Sequence, residues 1–118
     1  MNVTPVIFFQ GNCKEAMEFY QGILGGSLTF NTYGEELHAT LTSDVFCLKG
    51  LDSKIANAEA RKVELEVSGN DEAKMREIFA KLCEGGKAKH EIAKQPSGEL
   101  SGRLFDKYGL DWIVTINK

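Results

Sequence analysis

A few residues in this chain are of types, and in spacings, that could do chemistry. His38 stands in Glu36-Leu37-His38-Ala39-Thr40-Leu41-Thr42, where apolar and polar residues alternate. An imidazole with an ordinary pKa near 6.5 can give or take a proton at neutral pH, which makes His38 a candidate acid–base group. The same pattern also suits an exposed strand histidine. Glu64 and Glu66 alternate with Val63, Leu65 and Val67, so the two carboxylates share one strand face ~7 Å apart. They could act as a general base or hold a cation, or they could simply be solvated. Arg103, between Gly102 and Leu104, presents a fork of donors to a carboxylate or phosphonate, or to one of the glutamates. Cys47, in Val45-Phe46-Cys47-Leu48, has no adjacent base and reads as a small hydrophobe. Cys13 follows Asn12 at a helix start, where the macrodipole could favour a thiolate; a surface thiol is the plainer account.

The elements that must position these residues come in two copies. Residues 5–26 read PVIFFQGNCKEAMEFYQGILGG and residues 63–86 read VELEVSGNDEAKMREIFAKLCEGG. Each runs strand, Gly-Asn, amphipathic helix, Gly-Gly. Aligning Gly11-Asn12 with Gly69-Asn70 superposes Met17, Tyr20 and Leu24 on Met75, Ile78 and Leu82, an i, i+3, i+7 stripe in both copies. Asn12 can cap the first helix, with Glu15 completing a capping-box-like pattern. Gly25-Gly26 and Gly85-Gly86 supply left-handed stops.

After each helix the period changes to two. Ser27–Tyr33, Leu37–Thr42 and Val45–Leu48 read as strands, with turns at Gly34-Glu35-Glu36 and Ser43-Asp44. In the second half the strands are Lys87–Ile92, Gly102–Phe105 and Asp111–Ile116, with Ala93–Ser101 a loop and Asp106–Gly109 a tight turn. The reading is an α+β domain of two βαβββ modules. They form a cupped, mostly antiparallel sheet with the helices on its convex face. A ferredoxin-like sandwich would leave the third strand of each half unexplained. Module one covers about 1–50, a linker about 51–61, and module two about 62–118, all in a single domain. On strand phase, Leu37, Ala39 and Leu41 face the helix and His38 the cup or solvent, while Trp112 faces the helix layer. The expected cup residues are Phe8, His38, Cys47, Glu64, Glu66, Arg103 and Ile113, with His38 and Glu64 the candidates for catalysis.

Composition narrows the class. The chain has 118 residues, 42% hydrophobic and 26% charged, as a folded domain does. A net charge of −3 without a dense Lys/Arg cluster speaks against nucleic acid as a partner. No apolar run approaches a membrane span, and MNVTPVIFF lacks the features of a signal peptide. Three cysteines without a CxxC spacing fit free thiols in a reducing compartment, hence the cytoplasm. Two histidines exclude a His-rich metal site, and no phosphate-loop, HExxH or GxSxG motif is present.

Several words of the sequence resemble the vicinal oxygen chelate superfamily, which includes glyoxalase I, extradiol dioxygenases and bleomycin-resistance proteins. The branch it most looks like is the PhnB-like one, often labelled demethylubiquinone-methyltransferase-like. These words are Pro5–Phe9 with Gly11-Asn12, Ala16, Phe19-Tyr20 and Leu24-Gly25-Gly26, then His38-Ala39, then Gly102-Arg103-Leu104 and Asp106-Lys107-Tyr108-Gly109 with Trp112. The resemblance implies four metal-binding positions. They fall on Thr4 or Pro5, on Cys47, on Lys62 or Val63, and on Ile113. Proline, valine and isoleucine side chains offer a divalent ion nothing, so no metal or other cofactor is expected at the usual site. Nothing in the chain resembles the cofactor loop a methyltransferase needs.

The resulting expectation is a small-molecule-binding protein of this family, working as a homodimer whose partner chain covers edge strands. The rivals are a metal-dependent lyase, isomerase or dioxygenase with ligands drawn from His38, Glu64, Glu66 and Cys47, and a resistance protein that sequesters a toxic compound.

Overall fold

The structure, a computed structural model, describes residues 1–53 and 63–117. The chain divides into two compact units, Met1–Ala58 and Glu59–Lys118. Lys62 and most of the expected linker lie outside the described residues.

The first unit runs β1 (Val6–Phe9), α1 (Cys13–Leu24), β2 (Ser27–Tyr33), β3 (Glu36–Thr42) and β4 (Cys47–Asp52), with sheet order β1-β4-β3-β2. The second repeats it as β5 (Leu65–Gly69), α2 (Glu72–Cys83), β6 (Lys87–Lys94), β7 (Leu100–Phe105) and β8 (Asp111–Ile116), in order β5-β8-β7-β6. β1 and β5 pair in parallel with the last strand of their own module; the other pairings are antiparallel. Each module is therefore βαβββ, and the fold is α+β.

Each helix buries one stripe against one face of its own sheet. α1 buries Cys13, Ala16, Met17 and Tyr20, with Ala39, Leu41 and Leu48 from the sheet; Leu24 is only half-buried. α2 buries Met75, Ile78, Phe79 and Leu82, and the face it covers includes Leu104, Trp112 and Val114. Burying side chains of this size contributes about 1.5–3 kcal/mol each. Trp112 lies on the helix side as strand phase requires, since it pairs with Leu104. Its Nε1 donates to the buried Asp106 Oδ2 at 2.9 Å, while Asp106 Oδ1 accepts from the Tyr108 and Leu110 amides. One aspartate thus ties the Asp106–Gly109 turn to the core.

Several local expectations are corrected. β4 starts at Cys47 and not at Val45, because Ser43–Phe46 closes a turn: Ser43 N donates to Phe46 O, and Val45 N to Ser43 Oγ. β4 then continues past Leu48 through Gly50 into Leu51 and Asp52, the last two read as linker. A Cβ at Gly50 would sit 3.0 Å from both Met17 Sδ and Phe9, so this glycine lets α1 and β1 close over the central strand. The β2–β3 turn is two residues, Gly34-Glu35, with Gly34 at φ +61°. β6 and β7 extend further than read, shrinking the Ala93–Ser101 loop. Gly86 is not left-handed; it is required because a Cβ there would collide with the Phe105 and Asp106 backbone.

The capping of α1 is also corrected. Asn12 stands at the N-cap but its side chain makes no capping bond. The Gly11 and Cys13 amides both donate to Asp52 Oδ1, each at 2.9 Å. Asp52 can do this because it lies opposite Phe9 in the parallel β1–β4 pair, beside the point where the chain turns into the helix. In α2 the cap is local, with Lys74 N donating to the Asp71 carboxylate at 3.1 Å. We therefore expect Asp52→Ala to destabilise the fold by about 1–2 kcal/mol, as loss of an N-cap does, and Asn12→Ala by a few tenths. Urea unfolding midpoints of the two variants check this; equal losses would contradict it.

Candidate functional site

Alternation decides which side chains leave each sheet on its helix-free face. Ala39 and Leu41 are buried under α1, so His38, Thr40 and Thr42 leave the other side of β3. Cross-strand register extends that face over the whole first sheet. One row runs Val6, Lys49, Thr40, Thr29 and the next runs Phe8, Leu51, His38, Asn31. Rows repeat about every 7 Å along the strands, and strands lie about 4.8 Å apart. Over these rows opens a cavity of about 330 Å³, whose lining includes Val6, Asn31, Tyr33, His38, Lys49 and Leu51. The Tyr33 and His38 rings meet edge-on with centroids 4.9 Å apart. His38 Nε2 lies 3.4 Å from Glu36 Oε1.

His38 thus lines a cavity. Phe8, half-exposed, and Cys47, opposite Thr42, share its face but are not part of the lining. In the second module Glu66, Ile113, Arg103 and His90 form one row on the helix-free face. Glu66 Oε2 accepts from Thr115 Oγ1 at 2.8 Å. Glu64, just before β5, lies 3.6 Å from Arg103 Nε and 3.9 Å from Lys89 Nζ. Lys89 also approaches Asp111 Oδ1, a buried oxygen with no hydrogen bond, at 3.8 Å. Of the two roles open to Arg103, its neighbours favour the glutamate partner. Arg103 and Lys89 already stand beside carboxylates.

The positions where the superfamily holds a metal do not suit one. The Pro5 carbonyl accepts from Lys49 N at 3.1 Å, inside the sheet ladder. Thr4, Cys47, Val63 and Ile113 add one hydroxyl, one thiol and two alkyl groups; a hard divalent ion wants carboxylate, imidazole or carbonyl oxygen instead. No set of three or more His, Cys, Asp or Glu is placed to hold an ion among the described residues.

Sequence reasoning missed Asn31, Tyr33, Lys49 and Leu51; strand phase alone had put Thr40 on the His38 face. Lys49 and Leu51 were lost when β4 was ended at Leu48. Asn31 and Tyr33 were recoverable: a two-residue turn at Gly34-Glu35 pairs Tyr33 with Glu36 and Asn31 with His38.

A family model described as 3-demethylubiquinone-9 3-methyltransferase matches residues 1–115. The chain belongs to that family. It shares its fold with solved proteins of the glyoxalase/bleomycin-resistance type. Among its relatives, Escherichia coli protein YjdN is 25% identical over 144 residues, covering 100% of this chain and 97% of YjdN. A Bacillus cereus PhnB protein superposes with a TM-score of 0.84 at 25% identity, over 99% of this chain and 100% of that one. Pseudomonas aeruginosa PA1353 superposes with a TM-score of 0.88 at 22% identity, covering 99% and 98%. The family's description names a methyl transfer.

One thiol reading is overturned. Cys13 is neither a surface group nor an activated one, since it is fully buried under β4. Burial, together with the Asp52 carboxylate, pushes its pKa up to about 11. Those effects outweigh the helix N-terminus. Burial, with Glu91 nearby, also raises the Cys83 thiol. The unfolded Cys13 thiol ionises near its ordinary 9 and the folded one near 11. The unfolded chain therefore loses its proton first, and this contribution to stability is present below pH 9 and lost as pH rises to about 11. We expect unfolding free energy to fall more steeply across that window in the wild type than in Cys13→Ala. A disulfide reagent at pH 8 should label Cys47 and Cys83 in the native protein, and Cys13 only after denaturation.

Proposed function

We propose that this protein binds a small molecule on the helix-free face of its first sheet, and does so without a divalent metal at the superfamily's usual positions. The observation that carries this is the cavity of about 330 Å³ beside His38, Tyr33 and Lys49. Its volume is at the small end of ligand sites, and its lining mixes apolar side chains with a few polar ones, as such sites do. Binding there is by shape and hydrogen bonding, with His38 available to hold or move a proton on the bound molecule. In the second module Arg103 and Lys89 stand beside Glu64 and Asp111, and no ligand is assigned there. Homodimerisation fits the half-exposed Phe8 and Val6 on β1, an edge strand of its sheet. Free thiols fit a reducing cytoplasm.

The test is a titration of isotope-labelled protein with a panel of metabolite-sized compounds, read by amide chemical shifts. Binders should perturb Asn31, Tyr33, His38, Thr40 and Leu51 together. Shifts confined to the second module would overturn the site. Elemental analysis of the purified protein should find well under one equivalent of divalent metal per chain; one tightly held ion would overturn the metal-free reading. Sedimentation should give a dimer mass.

A further inference from the structure

We propose that the ligand is an organic oxyanion with a short apolar body, its charged head held by Lys49. This rests on the reading of the first-module face as the binding site and adds the chemical class of what binds there. Lys49 is exposed on the helix-free side of β4, the central strand next to β1. Among the described residues its ammonium has no hydrogen bond and no ion pair. Four cations have carboxylate neighbours that Lys49 lacks: Arg76 bonds Glu72, Lys81 bonds Glu77, and Lys89 and Arg103 stand beside Glu64. The cavity is therefore lined by an unneutralised positive charge.

Its surroundings suit an anion. Thr40, directly opposite Lys49 in the ladder, brings a hydroxyl about 5 Å away at Cβ. His38 and Asn31 stand in the next row with ring and amide donors. Glu36, the acid beside His38, stands at the start of β3 opposite Tyr33 and is 3.4 Å from the imidazole. An ammonium, a hydroxyl and an amide on one face form a donor-rich patch, and charge-assisted hydrogen bonds to an oxyanion are the strong ones. The other lining groups, Val6, Leu51 and the Tyr33 ring, are apolar or flat. They would take the body of the ligand. Thr40, set between Lys49 and Thr29 in its row, keeps the donors contiguous.

Benzoate, phenylphosphonate and neutral benzamide share a ring and differ in the head group, so they separate charge from shape. Each is titrated into labelled wild-type protein, Lys49→Met and Lys49→Arg, with thermal melting to confirm that the exposed substitutions leave the fold intact. The wild type should prefer at least one of the two anions to benzamide by about tenfold, the size of one charge-assisted hydrogen bond. Whichever anion is preferred distinguishes carboxylate from phosphonate. Lys49→Met should bind the anion no better than benzamide, Lys49→Arg should retain most of the preference, and added salt should weaken only the anion. If Lys49→Met holds the anion as tightly as the wild type while Tyr33 and His38 still shift, the oxyanion assignment fails and the site stands. If none of the three probes perturbs the Asn31–His38 strip in any protein, both fail.

Discussion

The constraint on which the rest depends is that each four-stranded sheet has one twelve-residue helix to cover it. A helix of that length spans about 18 Å and shields a single face. The strand residues that build the core with the helix, such as Ala39, Leu41, Leu104 and Val114, must then point to that side. The alternate residues are freed from packing and can be polar, charged or aromatic. His38, Lys49 and Asn31 on one sheet, and Glu66 and Arg103 on the other, occupy positions that the helix-side core does not need. Function has room on this face because stability is settled on the opposite one.

The two modules use one design and reinforce it differently. In the first, Asp52 reaches from the end of β4 to the start of α1, so helix and sheet share a carboxylate. In the second, α2 is capped by its own Asp71, and the tertiary tie is Asp106, which joins a turn to Trp112. Their helix-free faces diverge as well. The second holds two carboxylates and two cations within about 4 Å of one another. The first leaves Lys49 without a counter-charge beside a cavity. Repetition fixes the scaffold and leaves the exposed rows free to differ.

The repeat itself was legible. Matched Gly-Asn pairs, helical stripes and period-two strands announce βαβββ twice, and the stripe residues Met17, Tyr20, Met75, Ile78 and Leu82 are buried. The phase of His38 against Ala39 and Leu41 was legible too, because alternation is a local property. The end of β4 was not. Gly50 reads as a breaker in one dimension and is a contact point for Met17 and Phe9 in three. Ending the strand at Leu48 removed Lys49 and Leu51, two lining residues of the cavity, from view.

The sequence by itself determined the elements, their order, the buried face of each and the family, since all of these follow from local periodicity and ordered short motifs. Only the tertiary structure decided which residues meet. Asp52 caps a helix 39 residues before it, Cys13 is sealed under a strand that comes later in the chain, and Arg103 stands beside Glu64. Such contacts are set by strand order and register across the sheet. A linear pattern states which side of a strand a residue occupies; pairing alone states what it occupies it with.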